Sequence, residues 1–138
     1  DIARLDTVTG ALGLVANAKT TYAAGELSVA KSYINIATVS GIVTTGTTLL
    51  LILGDALLKG TSGNGIGTYF HMRAVVNAGT LLEERDVGVN ENNTIGLGSH
   101  WAQVVSAGTH SVALQVHSNN AGKVSLRRLT VLAIKTGA

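Results

Sequence analysis

The chain has 138 residues, enough for one domain with its own hydrophobic core. It has no cysteine, which excludes disulfides and thiolate metal sites, and its net charge of +2 comes from scattered residues, which argues against a nucleic-acid-binding face. Because only 13% of the residues are charged while 46% are apolar, we expect part of the surface to be buried against other copies of the chain.

The first 25 residues show no pattern typical of a complete domain. We expect residues 1–25 to form an N-terminal arm or linker that reaches a neighbouring subunit. A single β-sandwich domain is then expected over residues 26–138. Because the sequence begins with Asp1 and not with Met, we also expect a processed chain or an excised fragment.

Short apolar stretches alternate with clusters of Gly, Thr and Asn along the chain, a texture typical of strands joined by turns. Strands are predicted at residues 12–16, 27–29, 33–39, 47–53, 69–76, 81–89, 101–105, 110–117 and 123–135. This makes about eight to ten strands, enough for two packed antiparallel sheets. A short helical turn is expected only at residues 54–59, and the Gly-rich segment 59–68 is expected to be an exposed loop.

The strand at residues 110–117 has the clearest alternation. Val112, Leu114 and Val116 share one face, and a period of two places that face in the core. Turn-forming residues at 118–122 lead into the last strand, so the two strands are predicted to form a hairpin. The same parity argument predicts a core of Val112, Leu114, Val116, Val131, Leu49, Leu51, Leu53, Phe70 and Met72.

The last strand is apolar on both faces in its second half. Such a strand lies either in the centre of a sheet or at a subunit contact. We predict that it contributes to a subunit interface, with either face turned to the neighbour. The residues of this predicted interface are Leu129, Val131, Leu132, Ala133 and Arg128.

The residues that could carry chemistry do not form a recognisable site in the sequence. His71, His100, His110 and His117 include no pair at the spacing of metal ligands, and His110 and His117 are expected on opposite faces of one strand. The acidic residues Glu83, Glu84, Asp86 and Glu91 are interpreted as a solvated strand end. No nucleophile-elbow motif occurs, and the glycines at 63–67 lack the helix that a phosphate loop needs. We therefore expect no enzyme activity, metal or cofactor.

Trp101 is the only tryptophan, and it follows His100 directly. An exposed indole beside a polar group could stack on a sugar ring or anchor a partner. The alternative is a tryptophan that is half-buried at the start of a strand. His100 and Trp101 are kept as a candidate ligand or partner contact.

The order of these features from residue 30 onward resembles jelly-roll modules of the tumour-necrosis-factor and complement-head type, as found in small phage virion proteins and fibre tips. The resemblance covers about three quarters of the chain. It implies an all-β jelly-roll sandwich that assembles as a trimer, with the Leu and Val face of the last strand replacing the aromatic axis of many relatives. The segments that carry it are 43–52, 69–73, 77–79, 107–116 and 128–132.

This resemblance implies a virion structural protein, either a capsid decoration or a head-fibre subunit. Two alternatives are a receptor- or glycan-binding tip of a tail fibre and a subunit of an extracellular microbial filament joined through its N-terminal arm. The expected partners are other copies of the chain and either a major capsid protein or a host surface glycan. Nucleic acid is not expected, and the apolar run at 49–53 is far shorter than the roughly 20 residues of a membrane-spanning helix.

Overall fold

The computed structural model describes residues 15–61 and 67–135, and these residues form ten β-strands. The strands are β1 Val15–Ala23, β2 Leu27–Val29, β3 Ile34–Thr44, β4 Thr48–Gly60, β5 Thr68–Val76, β6 Thr80–Leu81, β7 Arg85–Val89, β8 Thr94–Val105, β9 Gly108–Ser118 and β10 Gly122–Lys135. The helical turn expected at 54–59 is wrong, because these residues continue β4 and pair with strands on both sides. Within the two described ranges, no helix is long and apolar enough to cross a membrane.

The strands pair into two antiparallel sheets that face each other. Sheet A has the order β1-β10-β4-β8, with β2 also on β10, and sheet B has the order β3-β9-β5-β6, with β7 also on β5. From β2 to β5 and again from β7 to β10, each strand lies in the opposite sheet from the one before it. This alternation is the connectivity of a jelly roll. The predicted all-β, two-sheet antiparallel sandwich is confirmed. The predicted hairpin of the last two strands is wrong, because β9 lies in sheet B and β10 lies in sheet A.

The core lies between the sheets and contains most of the predicted residues. Val112, Leu114 and Val116 of β9 are fully buried, as are Phe70 and Met72 of β5. Val131 of β10 is also buried. The period-two argument was therefore sufficient wherever one face of a strand was clearly more apolar than the other.

The predicted parity of β4 is wrong. Leu50 and Ile52 are fully buried, whereas Leu49 and Leu51 are partly exposed and Leu53 is 40% exposed. Five consecutive apolar residues carry no alternation, so this run by itself does not show which face is buried.

The residues that follow this run explain which face of β4 points inward. Gly54 faces the core so closely that a Cβ at this position would lie 2.8 Å from Cδ1 of Leu114. Asp55 and Lys59, which share the parity of Leu53, lie on the outer face. Because an unpaired charge is costly to bury, Asp55 and Lys59 indicate that their face of β4, which includes Leu53, points outward.

Part of the segment predicted as an arm belongs to the sandwich. Strand β1, over Val15–Ala23, pairs antiparallel with β10, and the hydroxyls of Thr20 and Thr130 are 2.9 Å apart across the pair. Residues 15–23 are therefore a strand of sheet A and not part of an arm. Residues 1–14 and the centre of the predicted Gly-rich loop, residues 62–66, lie outside the described residues.

A tight turn joins β5 to β6 at residues 77–79. Asn77 and Ala78 both have positive φ angles, 53° and 60°. The Asn77 side chain fastens the turn to β9, because its Oδ1 accepts a 2.9 Å hydrogen bond from the backbone N–H of Ser111 and its Nδ2 lies 2.9 Å from Nδ1 of His110. As predicted, His110 and His117 lie on opposite faces of β9, with His110 buried.

Candidate functional site

A row of titratable side chains crosses three neighbouring strands on the outer face of sheet B. Asp86 of β7 pairs with His71 of β5, which in turn pairs with His117 of β9. Nδ1 of His71 is 2.7 Å from Oδ1 of Asp86. The two imidazole rings stack with centroids 4.4 Å apart and an angle of 16° between their planes. Strand pairing alone thus brings these three side chains together.

Glu84, in the connection that precedes β7, completes this group. Its Oε2 is 3.8 Å from Nε2 of His117. Ligand atoms of His71, Glu84 and Asp86 all lie within 4.8 Å of one another. We call His71, His117, Glu84 and Asp86 the histidine-carboxylate cluster. Its side chains are about one quarter to three fifths exposed, so solutes can reach it from the solvent.

The environment of His117 favours the neutral imidazole. Burial lowers the pKa of His117 below its ordinary value, and the neighbouring His71 and Arg73 lower it further. The carboxylates of Glu84 and Asp86 oppose this shift without reversing it. At neutral pH the ring therefore keeps a nitrogen lone pair that is available to an electrophile or a metal ion.

A polar network beside the cluster holds His117 in place. Tyr33 contacts the His117 ring edge-on, with centroids 4.2 Å apart, and the Arg73 guanidinium lies 3.6 Å above the centre of the Tyr33 ring. Arg73 Nε donates a 3.0 Å hydrogen bond to Gln115 Oε1, and Gln115 Nε2 donates a 2.8 Å bond to Asn35 Oδ1. These contacts fix the position of the imidazole before any ligand is bound.

Sequence spacing could not reveal this cluster, because its residues come from different parts of the chain. His71 and His117 are 46 positions apart and become neighbours only through the register of β5 and β9. The sequence carried only an indirect signal for it. The buried faces of β5 and β9 were correctly predicted, and His71 and His117 lie on the opposite, polar faces of these strands. Pairing those two strands would have placed both rings on the same side of sheet B.

The structure separates the two residues of the candidate ligand contact. Trp101 is 5% exposed and its Nε1 donates a 2.6 Å hydrogen bond to the backbone oxygen of Glu83. His100 is exposed on the outer face of sheet A. Trp101 is thus more deeply buried than either sequence-based alternative supposed, and its ring is not open to a sugar. A contact at His100 stays a prediction.

The residues predicted as a subunit interface are divided between the two faces of β10. Leu129, Val131 and Ala133 are buried between the sheets. Leu132 and Arg128 lie on the outer face, where Arg128 Nε is 3.3 Å from Oδ2 of Asp55 in the same chain. An interface on this strand therefore stays a prediction that only the outer-face residues can satisfy.

The outer face of sheet A carries a continuous apolar patch. The register places Leu51 between Ala102 of β8 and Leu132 of β10, and it places Leu49 beside Val104. Val104 is 55% exposed. We define this apolar patch as Leu49, Leu51, Leu53, Ala102, Val104 and Leu132.

No protein-family model matches the sequence, and no curated protein matches it. Among solved structures, the infectious bursal disease virus Gx strain aligns with 84% of this chain at 13% identity and a TM-score of 0.57, and the VP2 subviral particle of that virus aligns with 84% at 14% identity and a TM-score of 0.51. This chain spans 33% and 32% of those two chains, about a third of their length.

A carbohydrate-binding module also aligns with the chain. The C-terminal CBM6 of LamC from Zobellia galactanivorans aligns with 81% of this chain and 99% of its own length, at 15% identity and a TM-score of 0.41. Similarity at this level supports no conclusion about carbohydrate binding. The similarity to the virus structures establishes that this sandwich shares its jelly-roll fold with domains of viral capsid structures.

Proposed function

We propose that this chain is a non-enzymatic structural subunit of a virion that assembles with copies of itself through the outer face of sheet A. The simplest assembly is a homotrimer. Within this class we favour a capsid decoration or head-fibre subunit, with a major capsid protein as its second partner. The observation that carries the proposal is the apolar patch.

The patch is unusual because the two outer faces of the sandwich differ so strongly. On sheet B, the corresponding positions hold charged and hydrogen-bonding side chains such as Arg73, Gln115 and His117. On sheet A, three neighbouring strands present leucine, valine and alanine side chains to solvent over the apolar patch. Contiguous apolar surface of this kind is typical of interaction sites.

A second copy of the chain is the partner that best fits this surface. All six residues of the apolar patch are uncharged, so copies can approach without repulsion between like charges. Asp55 of β4 and Arg128 of β10, which lie on the same outer face as the patch, already pair within the chain. Burial of the patch also accounts for a sequence with only 13% charged residues.

The shared fold supports a virion as the location. The aligned structures come from a virus, one of them from a VP2 subviral particle, and they use a jelly roll with the same two-sheet arrangement. The likeness concerns the fold, since identity is only 13–14%. The assembly state and the partner must therefore be tested on this chain itself.

Size-exclusion chromatography with light scattering at micromolar concentration tests the proposal. The wild-type chain should have about three times the monomer mass, and Val104→Lys should shift it to the monomer because it places a charge in the apolar patch. Val43→Lys is the matched control, since Val43 is 60% exposed but lies on β3 of sheet B. A folded wild-type monomer, or equal dissociation in both variants, would refute assembly through this face.

Electron microscopy of the wild-type assembly separates the proposed function from the two alternatives. Discrete particles that bind to capsids support a decoration or head-fibre subunit. Long filaments would instead favour a subunit joined through its N-terminal arm. Binding of the isolated trimer to host surface glycans, without capsid binding, would favour the fibre tip.

A further inference from the structure

We infer that the histidine-carboxylate cluster is a binding site for a divalent transition-metal ion such as Zn²⁺, with His71, Glu84 and Asp86 as ligands and His117 packed beside them. The sequence-based expectation was that the chain binds no metal. The inference does not depend on the proposed function, because the cluster lies on sheet B and the apolar patch lies on sheet A.

The donor atoms are already close to the arrangement that a metal ion requires. Zn²⁺ binds imidazole nitrogen and carboxylate oxygen at about 2.0–2.2 Å, so neighbouring donors in a tetrahedral site are about 3.4 Å apart. The ligand atoms of His71, Glu84 and Asp86 lie within 4.8 Å of one another, and Nε2 of His117 is 3.8 Å from Glu84. Small movements of the exposed carboxylate side chains of Glu84 and Asp86 would bring these three donors to the distances of a tetrahedral site.

The fold holds the two histidines while the carboxylates remain adjustable. His71 and His117 are positioned by the pairing of β5 with β9 and by the stacking of their rings. His117 is also held by Tyr33 on its other side. Glu84 precedes β7 and its side chain is 43% exposed. Such a site loses little conformational entropy at its nitrogen donor, which favours binding.

The chemistry of the donors selects the class of metal. An imidazole with two carboxylates suits Zn²⁺ and its transition-metal neighbours. Ca²⁺ and Mg²⁺ prefer sites made of oxygen atoms only, with six or more ligands.

Among residues 15–61 and 67–135, His71, Glu84 and Asp86 are the group of candidate metal ligands whose donor atoms lie within 4.8 Å of one another. A bound ion would join β5 to β7 and to the connection before β7. Among the described strands, β7 has β5 as its single partner. An added link through the ion should therefore stabilise the position of β7.

Isothermal titration of the untagged full chain with Zn²⁺ tests the inference, with Ca²⁺ titrated in parallel. We expect one Zn²⁺ per chain at micromolar affinity, and at least about tenfold weaker binding for His71→Ala and Asp86→Asn. His100→Ala is the matched control, because His100 is an exposed histidine outside the cluster. Co²⁺ should give visible absorption bands of a low-coordinate site in the wild-type chain, and His71→Ala should abolish them.

Circular dichroism shows whether each variant is folded. If His71→Ala disturbs the sheet, Glu84→Gln carries the test, since Glu84 is exposed and lies between strands. Failure of the wild-type chain to bind Zn²⁺ below about 1 mM, unchanged binding in the cluster variants, or an equal loss in His100→Ala would overturn the site. Ca²⁺ binding as tight as Zn²⁺ binding would overturn the choice of metal.

Discussion

Arg127 of β10 donates a 2.6 Å hydrogen bond from Nε to the backbone oxygen of Ile36, which lies in the facing sheet. Arg127 is only 9% exposed. Its Nη1 also donates to the backbone oxygen of Ser125, at 2.8 Å, and to that of Gly25. The buried guanidinium thus connects both sheets and the β1–β2 loop through carbonyl oxygens, which replace the water that the charge loses on burial.

Arg127→Met should lower the free energy of unfolding by about 2–4 kcal/mol, because three carbonyl groups lose their charged donor. Arg128→Met should cost less than about 1 kcal/mol, since Arg128 is exposed and makes a single 3.3 Å ion pair with Asp55. Urea denaturation followed by circular dichroism measures both values. Equal losses at the two neighbouring arginines would contradict the role of Arg127.

Leu114→Ala should destabilise the chain by about 2–5 kcal/mol through loss of contacts and creation of a cavity. Leu114 is completely buried, whereas Leu81 is 57% exposed. Leu81→Ala should therefore change the stability by less than about 0.5 kcal/mol. Urea denaturation at matched protein concentrations compares the two variants. A loss below half a kilocalorie for Leu114→Ala would mean that its face of β9 is not in the core.

Gly122→Ala should destabilise the chain by about 1–3 kcal/mol because it overfills the core. A Cβ at Gly122 would lie 2.7 Å from Cε1 of Phe70, and closer still to Cζ, while Phe70 itself is fully buried. At Gly25 a Cβ would meet nothing within 4 Å, so Gly25→Ala is the control and should leave the melting temperature nearly unchanged. Thermal unfolding of both variants tests the difference, and an equal shift in both would argue against the close contact with Phe70.

Ala78→Gly should stabilise the chain by about 0.5–1 kcal/mol. Ala78 has a φ of 60°, which is strained for an L-residue with a Cβ and unstrained for glycine. Ala102→Gly, in the interior of β8, should instead destabilise by about 0.5–1 kcal/mol. Melting curves of the two variants should therefore shift in opposite directions. A lower melting temperature for Ala78→Gly would show that this turn is not strained.

The fold could be predicted to the extent that strands alternate. The parity of β9 was readable because Val112, Leu114 and Val116 are separated by more polar residues. The parity of β4 was not readable from Leu49 to Leu53 alone, because both of its faces are apolar. One face of β4 is filled by the core and the other forms much of the apolar patch. The buried face of β4 was wrongly predicted because both faces of this strand are apolar, and the apolar outer face is also what suggests an interaction surface.

The candidate metal site could not be predicted from the sequence, because it depends on the register between distant strands. A one-residue slip of β5 against β9 would point His71 and His117 to opposite faces of the sheet. The pairing of Arg128 with Asp55 likewise requires the alignment of β10 with β4. Local patterns identify faces, and only the completed sheets determine which faces meet.

The central position of β10 has a consequence for how the chain folds. β10 is the last strand of the sandwich, yet sheet A is built around it, since it pairs with β1 and β2 on one side and β4 on the other. Sheet A therefore cannot be completed until residues near Lys135 have left the ribosome. Such long-range pairing favours slow folding, on the order of milliseconds to seconds. Until then the apolar faces of β4 must be kept apart from those of other nascent chains.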